Sequence, residues 1–185
     1  NMQPLGPGPG FRLYAGPDAS DVIHRLNTAI ASPVLRSPEV EFAPGDAPSV
    51  RSPVELPASF DGQAAFLGYE VLTPSLAPGQ ELAMLTYWRV QEQPRRSLNI
   101  FVHVLDDHSR IWGQYDGLDV PVEGWVPGDV IVQLHTFPVA ADAPPGRYWI
   151  EVGLYHPQTM ERLQVLGDDG AILGDRLLLQ KILMQ

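Results

Sequence analysis

The sequence predicts an all-β fold: an antiparallel immunoglobulin-like or jelly-roll sandwich of about eight strands, preceded by a short helix and a proline-rich arm. Three observations predict it. Apolar residues alternate with polar ones at period two, as in Leu98, Ile100, Val102 and Val104, in Tyr148, Ile150, Val152 and Leu154, and in Leu82, Met84, Trp88 and Val90. Turn chemistry recurs between these runs, with Pro-Gly at 78–79, 127–128 and 145–146. No helical period follows residue 57, so the crossover helices that a parallel sheet needs are absent. A barrel is the alternative closure. Strands are expected at 63–73, 80–92, 97–106, 109–116, 129–139, 147–156, 160–166 and 176–184, each burying one face and leaving the other mostly wet.

The first 57 residues differ in texture. They hold ten of the nineteen prolines. Residues 1–10 cannot form a helix or a central strand, because proline lacks an amide donor, and they are expected as a flexible arm. Ser20 can cap a helix whose apolar positions are Val22, Ile23, Leu26 and Ile30, with Ser32-Pro33 ending it. Residues 33–57 read as an extended surface connection. The expected division is therefore 1–57, arm and helix, and 58–185, the sandwich.

Composition excludes several functions. The 185 residues carry 22 acidic and 12 basic side chains, a formal charge of −10, which repels nucleic acid and anionic lipid. There is no cysteine, so disulfides, thiolate zinc sites and cysteine nucleophiles are ruled out. No apolar run is long enough to span a bilayer, so no direct membrane insertion is expected. Nucleotide-binding, serine-hydrolase and zinc-protease motifs are missing, and Pro7-Gly8-Pro9-Gly10 lacks the amides to cradle phosphate. No cofactor is expected and no catalytic residue is assigned.

Two sets of side chains could carry a function. Two mid-strand histidines, His103 and His135, with Asp106 or Asp116, have the residue types of a metal site, although no short spacing pins them together. Each is more simply a strand residue bonded to a neighbour. Paired acids such as Asp116 and Asp119, or Asp168 and Asp169, fall at turns, where aspartate bonds its own backbone. The aromatics point to sugar. Trp149 and Tyr155 share the strand face opposite Tyr148 and Ile150, and flat rings stack on pyranose C–H faces. Trp125 precedes a Pro-Gly turn and is expected to plug the end of the sandwich. The candidate ligand-binding residues are Trp149, Tyr155, Trp112, Trp125, His103, Asp116 and His135.

The stretch 58–185 resembles a known family. The pieces run in order: Phe66-Leu67-Gly68-Tyr69-Glu70, Leu76 to Leu82, Leu85-Thr86-Tyr87-Trp88-Arg89, Phe101 to Asp106, Gln114-Tyr115-Asp116-Gly117, Trp125 to Ile131, Pro144 to Tyr148, Glu151 to Tyr155, and Glu161-Arg162-Leu163. This pattern is similar to the extracytoplasmic β-sandwich domain that follows the membrane helices of bacterial glycosyltransferases of the dolichyl-phosphate-mannose protein mannosyltransferase type. The resemblance implies a sandwich outside the cytoplasmic membrane, tethered to the membrane-embedded region of a parent protein, with no catalytic residues of its own. Residues 1–57 fall outside it, and Gln133-Leu134-His135 stands where the family carries an acidic residue. The expected function is a non-catalytic accessory module that binds a glycan or polysaccharide. A protein–protein scaffold is the alternative, and a metal-dependent hydrolase ranks last.

Overall fold

The computed structural model describes residues 3–8, 11–15, 39–40, 52–73 and 75–185. Among the described residues four strands precede residue 58: β1 (Gln3–Gly8), β2 (Phe11–Ala15), β3 (Glu39–Val40) and β4 (Ser52–Pro53). Then come β5 (Ala58–Phe60), β6 (Ala64–Val71), β7 (Ser75–Leu76), β8 (Glu81–Val90), β9 (Asn99–Leu105) and β10 (Ile111–Gly117). A 3₁₀ turn, η1 (Val122–Gly124), leads to β11 (Val130–Pro138) and β12 (Gly146–His156). The chain ends with β13 (Glu161–Arg162), β14 (Val165–Leu166), β15 (Ile172–Gly174) and β16 (Leu177–Met184). Among the described residues no helix is long and apolar enough to cross a membrane.

The two sheets form a β-sandwich. The first runs β10-β9-β12-β16-β3-β4, with β13 beside β12 and β7 parallel to β16. The second runs β11-β8-β6-β5-β14-β15. Two of the expected Pro-Gly turns lead into β8 and β11, whereas Gly146 opens β12. Gly79 and Gly128 take φ of +80° and +95°, which only glycine adopts without strain, and Gln80 N donates to Ala77 O at 3.0 Å.

Between the sheets lie the residues that alternation marked. Trp88 is 1% exposed, edge-on to Phe60 at 5.3 Å and Phe66 at 4.9 Å, and its indole N–H donates to Thr86 Oγ1 at 2.9 Å. Ile100, Val102 and Val104 of β9 face Tyr148, Ile150, Val152 and Leu154 of β12 across the strand register and share one core with β8. In β16 a bulge at Leu179 breaks the alternation, so that Leu177, Leu179, Ile182 and Met184 all belong to the core.

Three expectations are corrected. The outer faces are not mostly wet. Phe101, His103, Leu105, Glu151 and Tyr155 point away from the core and are nonetheless buried. The second sheet carries an outer apolar strip of Leu67, Leu85, Tyr87, Val132 and Leu134, and β2 lies against β11 on this sheet. The single strand expected at 160–166 divides. β13 pairs with β12, whereas β14 pairs with β5 and β15 in the other sheet, because Leu163 and Val165 are buried as the chain crosses between layers. The arm expected at residues 1–10 contributes β1, which pairs with β2 as an antiparallel ribbon. Its register shifts between Pro4 and Pro7, where the ladder lacks donors. The helix expected near residues 20–32 lies outside the described residues. Upstream of Ala58, β3 and β4 extend the first sheet beyond β16.

Candidate functional site

The outer face of the first sheet gathers polar and aromatic groups in rows set by strand register. Ile111, Leu105, Trp149 and Lys181 are aligned across β10, β9, β12 and β16. The next row holds Gln114, His103, Glu151 and Leu178. Below it come Asp116, Phe101 and Gly153, then Asn99 and Tyr155. Four of the sequence-predicted ligand residues, Trp149, Tyr155, His103 and Asp116, therefore share one face. Gln114 and Asp116 are exposed along β10, Ile111 is 44% exposed, and Trp149 is half-buried. Lys181 Nζ lies 5.0 Å from the Trp149 ring and donates to Asp107 Oδ1 at 2.7 Å, so the only lysine is held against the indole by a cation–π contact.

Trp149 and Tyr155 do not form a continuous open strip. Tyr155 is 8% exposed, accepts from Asn99 Nδ2 at 3.2 Å, and packs near the Phe101 ring. Phe101 lies flat across Gly153, where a Cβ would collide with the ring carbons. The Arg162 guanidinium covers Phe101 at 4.3 Å.

Between the aromatic groups sits a buried ionic cluster. Glu151 is 1% exposed. Its Oε1 accepts from His103 Nδ1 at 2.7 Å, and its Oε2 lies 3.4 Å from Arg176 Nη1. Arg162 bridges more loosely, at 4.0 Å from Glu151 and 3.5 Å from Asp175 Oδ2, and Arg176 Nε lies 3.8 Å from Asp175 Oδ1. Glu151 Oε2, Asp175 Oδ1 and Arg176 Nε retain unused hydrogen-bonding capacity. Two carboxylates and two guanidiniums face one another in the cluster.

The other three predicted residues face the core. Trp125 is 3% exposed and joins the core directly after η1. Trp112 is 8% exposed, donates its indole N–H to Asp106 Oδ2 at 3.0 Å, and is covered by the Arg110 guanidinium at 3.9 Å. Neither ring is an open stacking platform.

His135 is fully buried on the inner face of β11. It belongs to the second sheet and points inward, whereas His103 belongs to the first and points outward, so the two cannot share a metal. Among the described residues no three potential ligands group together. Trp88 N–H donates to Thr86 Oγ1 at 2.9 Å, the Thr86 hydroxyl is hydrogen-bonded to His135 Nε2 at 2.8 Å, and His135 Nδ1 is buried without a partner among the described residues. Burial pushes the His135 pKa down to about 3. The folded value lies below the unfolded one, near 6.5, so the unfolded chain takes up the proton first. This group's contribution is complete above about pH 6.5 and lost as pH falls toward 3. The expected outcome is a loss of roughly 1.4 kcal/mol per pH unit in that window, read by urea unfolding. His135→Gln should flatten that part of the profile, and an unchanged slope would refute the assignment.

The turn acids do structural work. Asp106 Oδ1 accepts from the backbone of His108 and Arg110 at 2.8 and 3.0 Å, closing the expected hairpin. The Trp112 hydrogen bond and these two amides hold its carboxyl below the ordinary aspartate range. Asp119 Oδ2 accepts from Gln133 Nε2 at 2.6 Å, and Asp119 N donates to Gln133 Oε1 at 3.0 Å, tying the loop after β10 to β11. Exposed Asp116 takes no part in these bonds. Arg162, in β13, and Asp175 and Arg176, between β15 and β16, escaped the site reading, because no local spacing marks them as partners of Glu151.

No protein-family model matches the chain, and no curated protein matches it. Among solved structures, the C-terminal domain of Wzt is similar over 69% of this chain and 75% of that one, at 15% identity and a TM-score of 0.45.

Proposed function

We propose that this chain is a non-catalytic, extracytoplasmic module that binds a glycan on the outer face of its first sheet, as part of a membrane-associated protein of the glycosyltransferase type. One observation carries the reading: strand register places Trp149, Tyr155, His103 and Asp116 on one face, around a prearranged set of carboxylate, imidazole and guanidinium groups. A sugar needs both an apolar surface for its C–H face and planar polar groups for its hydroxyls. Half-buried Trp149, in one row with exposed Ile111 across Leu105, offers the first. Exposed Gln114 and Asp116, beside buried His103, offer the second. The extracytoplasmic placement and the parent enzyme rest on the ordered resemblance of residues 58–185.

The function is read by glycan-array screening and affinity electrophoresis. Retention by at least one neutral glycan is expected. Trp149→Ala should weaken it by roughly tenfold or more, because a central aromatic carries a large share of binding energy. Gln114→Ala/Asp116→Ala, confined to exposed side chains, should weaken it without lowering Tm. An array with no bound glycan, or full retention by both variants, would overturn the reading.

A further inference from the structure

A cleft of about 360 Å³ opens at one end of the sandwich, between the loop after β8, η1 and the turn after β12. That size lies at the small end of the range for ligand pockets. We propose that it binds the carboxylate end of an acidic sugar, a hexuronic acid residue. The cleft uses none of the outer-face residues, so this inference and the proposed function can fail separately.

Buried Pro94 and Val122 supply an apolar floor suited to the C–H face of a pyranose. Arg95 and Arg96 supply two of the chain's few positive charges on adjacent residues. Arg96 is anchored, both its Nη atoms lying 3.3 Å from Glu161 Oε2. Arg95 is exposed and makes no ion pair among the described residues, which leaves a guanidinium fork for a carboxylate. Ser97 and Gln158 can both donate to and accept from hydroxyls, and Glu123 can only accept.

The walls are set before a ligand arrives. Gln93 Nε2 donates to Glu123 O at 3.4 Å, joining the loop to η1, and His156 Nδ1 donates to Ser97 O at 3.0 Å, joining it to the end of β12. Such preorganisation lowers the cost of binding. Charge selects the ligand class. Glu123 and the overall charge of −10 oppose a compact polyanion such as phosphate. A single carboxylate on a ring of hydroxyl donors satisfies the arginine and the glutamate together.

The test titrates the whole isotope-labelled chain with glucuronate and galacturonate while amide and arginine NMR signals are followed. Glucose, acetate and inorganic phosphate form the control arms. A uronate is expected to shift Arg95, Ser97 and Gln158 saturably at millimolar concentration, well beyond any control. Arg95→Ala should weaken this by roughly tenfold or more, the scale of one charged hydrogen bond. Arg95→Lys should retain part of the affinity, and Trp149→Ala should leave it unchanged. No saturable shift at these residues, equal shifts with acetate or phosphate, or undiminished binding by Arg95→Ala would overturn the proposal.

Discussion

Replacing Trp88 by alanine is expected to lower the unfolding free energy by about 3–5 kcal/mol, the usual cost of removing a large aromatic from a packed core. The ring is 1% exposed and is held edge-on by Phe60 and Phe66, so its loss leaves a cavity bounded by two other rigid rings. It also removes the N–H that donates to Thr86 Oγ1, a hydroxyl that is itself hydrogen-bonded to His135. Few side chains can collapse into that space, because the neighbouring β-strand backbones are paired on both sides of β8. For a domain of this length the loss corresponds to roughly 2–4 °C in Tm per kcal/mol. Urea denaturation of the wild type and the variant measures it. A cost below about 1 kcal/mol would mean that the two sheets do not pack through this ring.

Replacing Glu151 by alanine should cost a similar amount, about 3–5 kcal/mol, for an electrostatic reason. Its carboxylate is the one group that contacts His103, Arg176 and Arg162 together. Arg176 is itself buried, with 8% of its side chain exposed, so the variant would strand a guanidinium away from water. Removing one member of a buried pair is more harmful than replacing the pair by apolar groups. Glu151→Leu/Arg176→Met should therefore be less destabilised than the sum of its single variants. Strictly additive losses, read by thermal and urea unfolding, would refute a coupled cluster.

These two predictions differ in how much of their basis is visible in the chain alone. Trp88 falls in the alternating run Leu82, Met84, Trp88, Val90, and its inward direction follows from the pleat. Glu151 also falls in an alternating run, on the side expected to be wet. The strand and its faces were legible; the burial of the second face was not, because it depends on Arg162 from β13 and on Asp175 and Arg176 from the connection before β16. Tyr155 is misjudged in the same way, and Trp112 is withdrawn from solvent by Arg110 and the Asp106 turn.

The amino-acid order alone determined the all-β class, the approximate place of seven of the eight expected strands, their core-facing residues and two of the three Pro-Gly turns. Those properties are local: a pleated backbone alternates its side chains at every step, and a glycine at positive φ needs no distant partner. Tertiary structure decided the rest. It sent Arg162 and Val165 to different sheets, set His103 and His135 on opposite sides of a layer, and enclosed Glu151 among cations. Each outcome depends on which strands become neighbours after long stretches of chain have closed, and the electrostatic and packing forces that settle it act only once those distant segments meet.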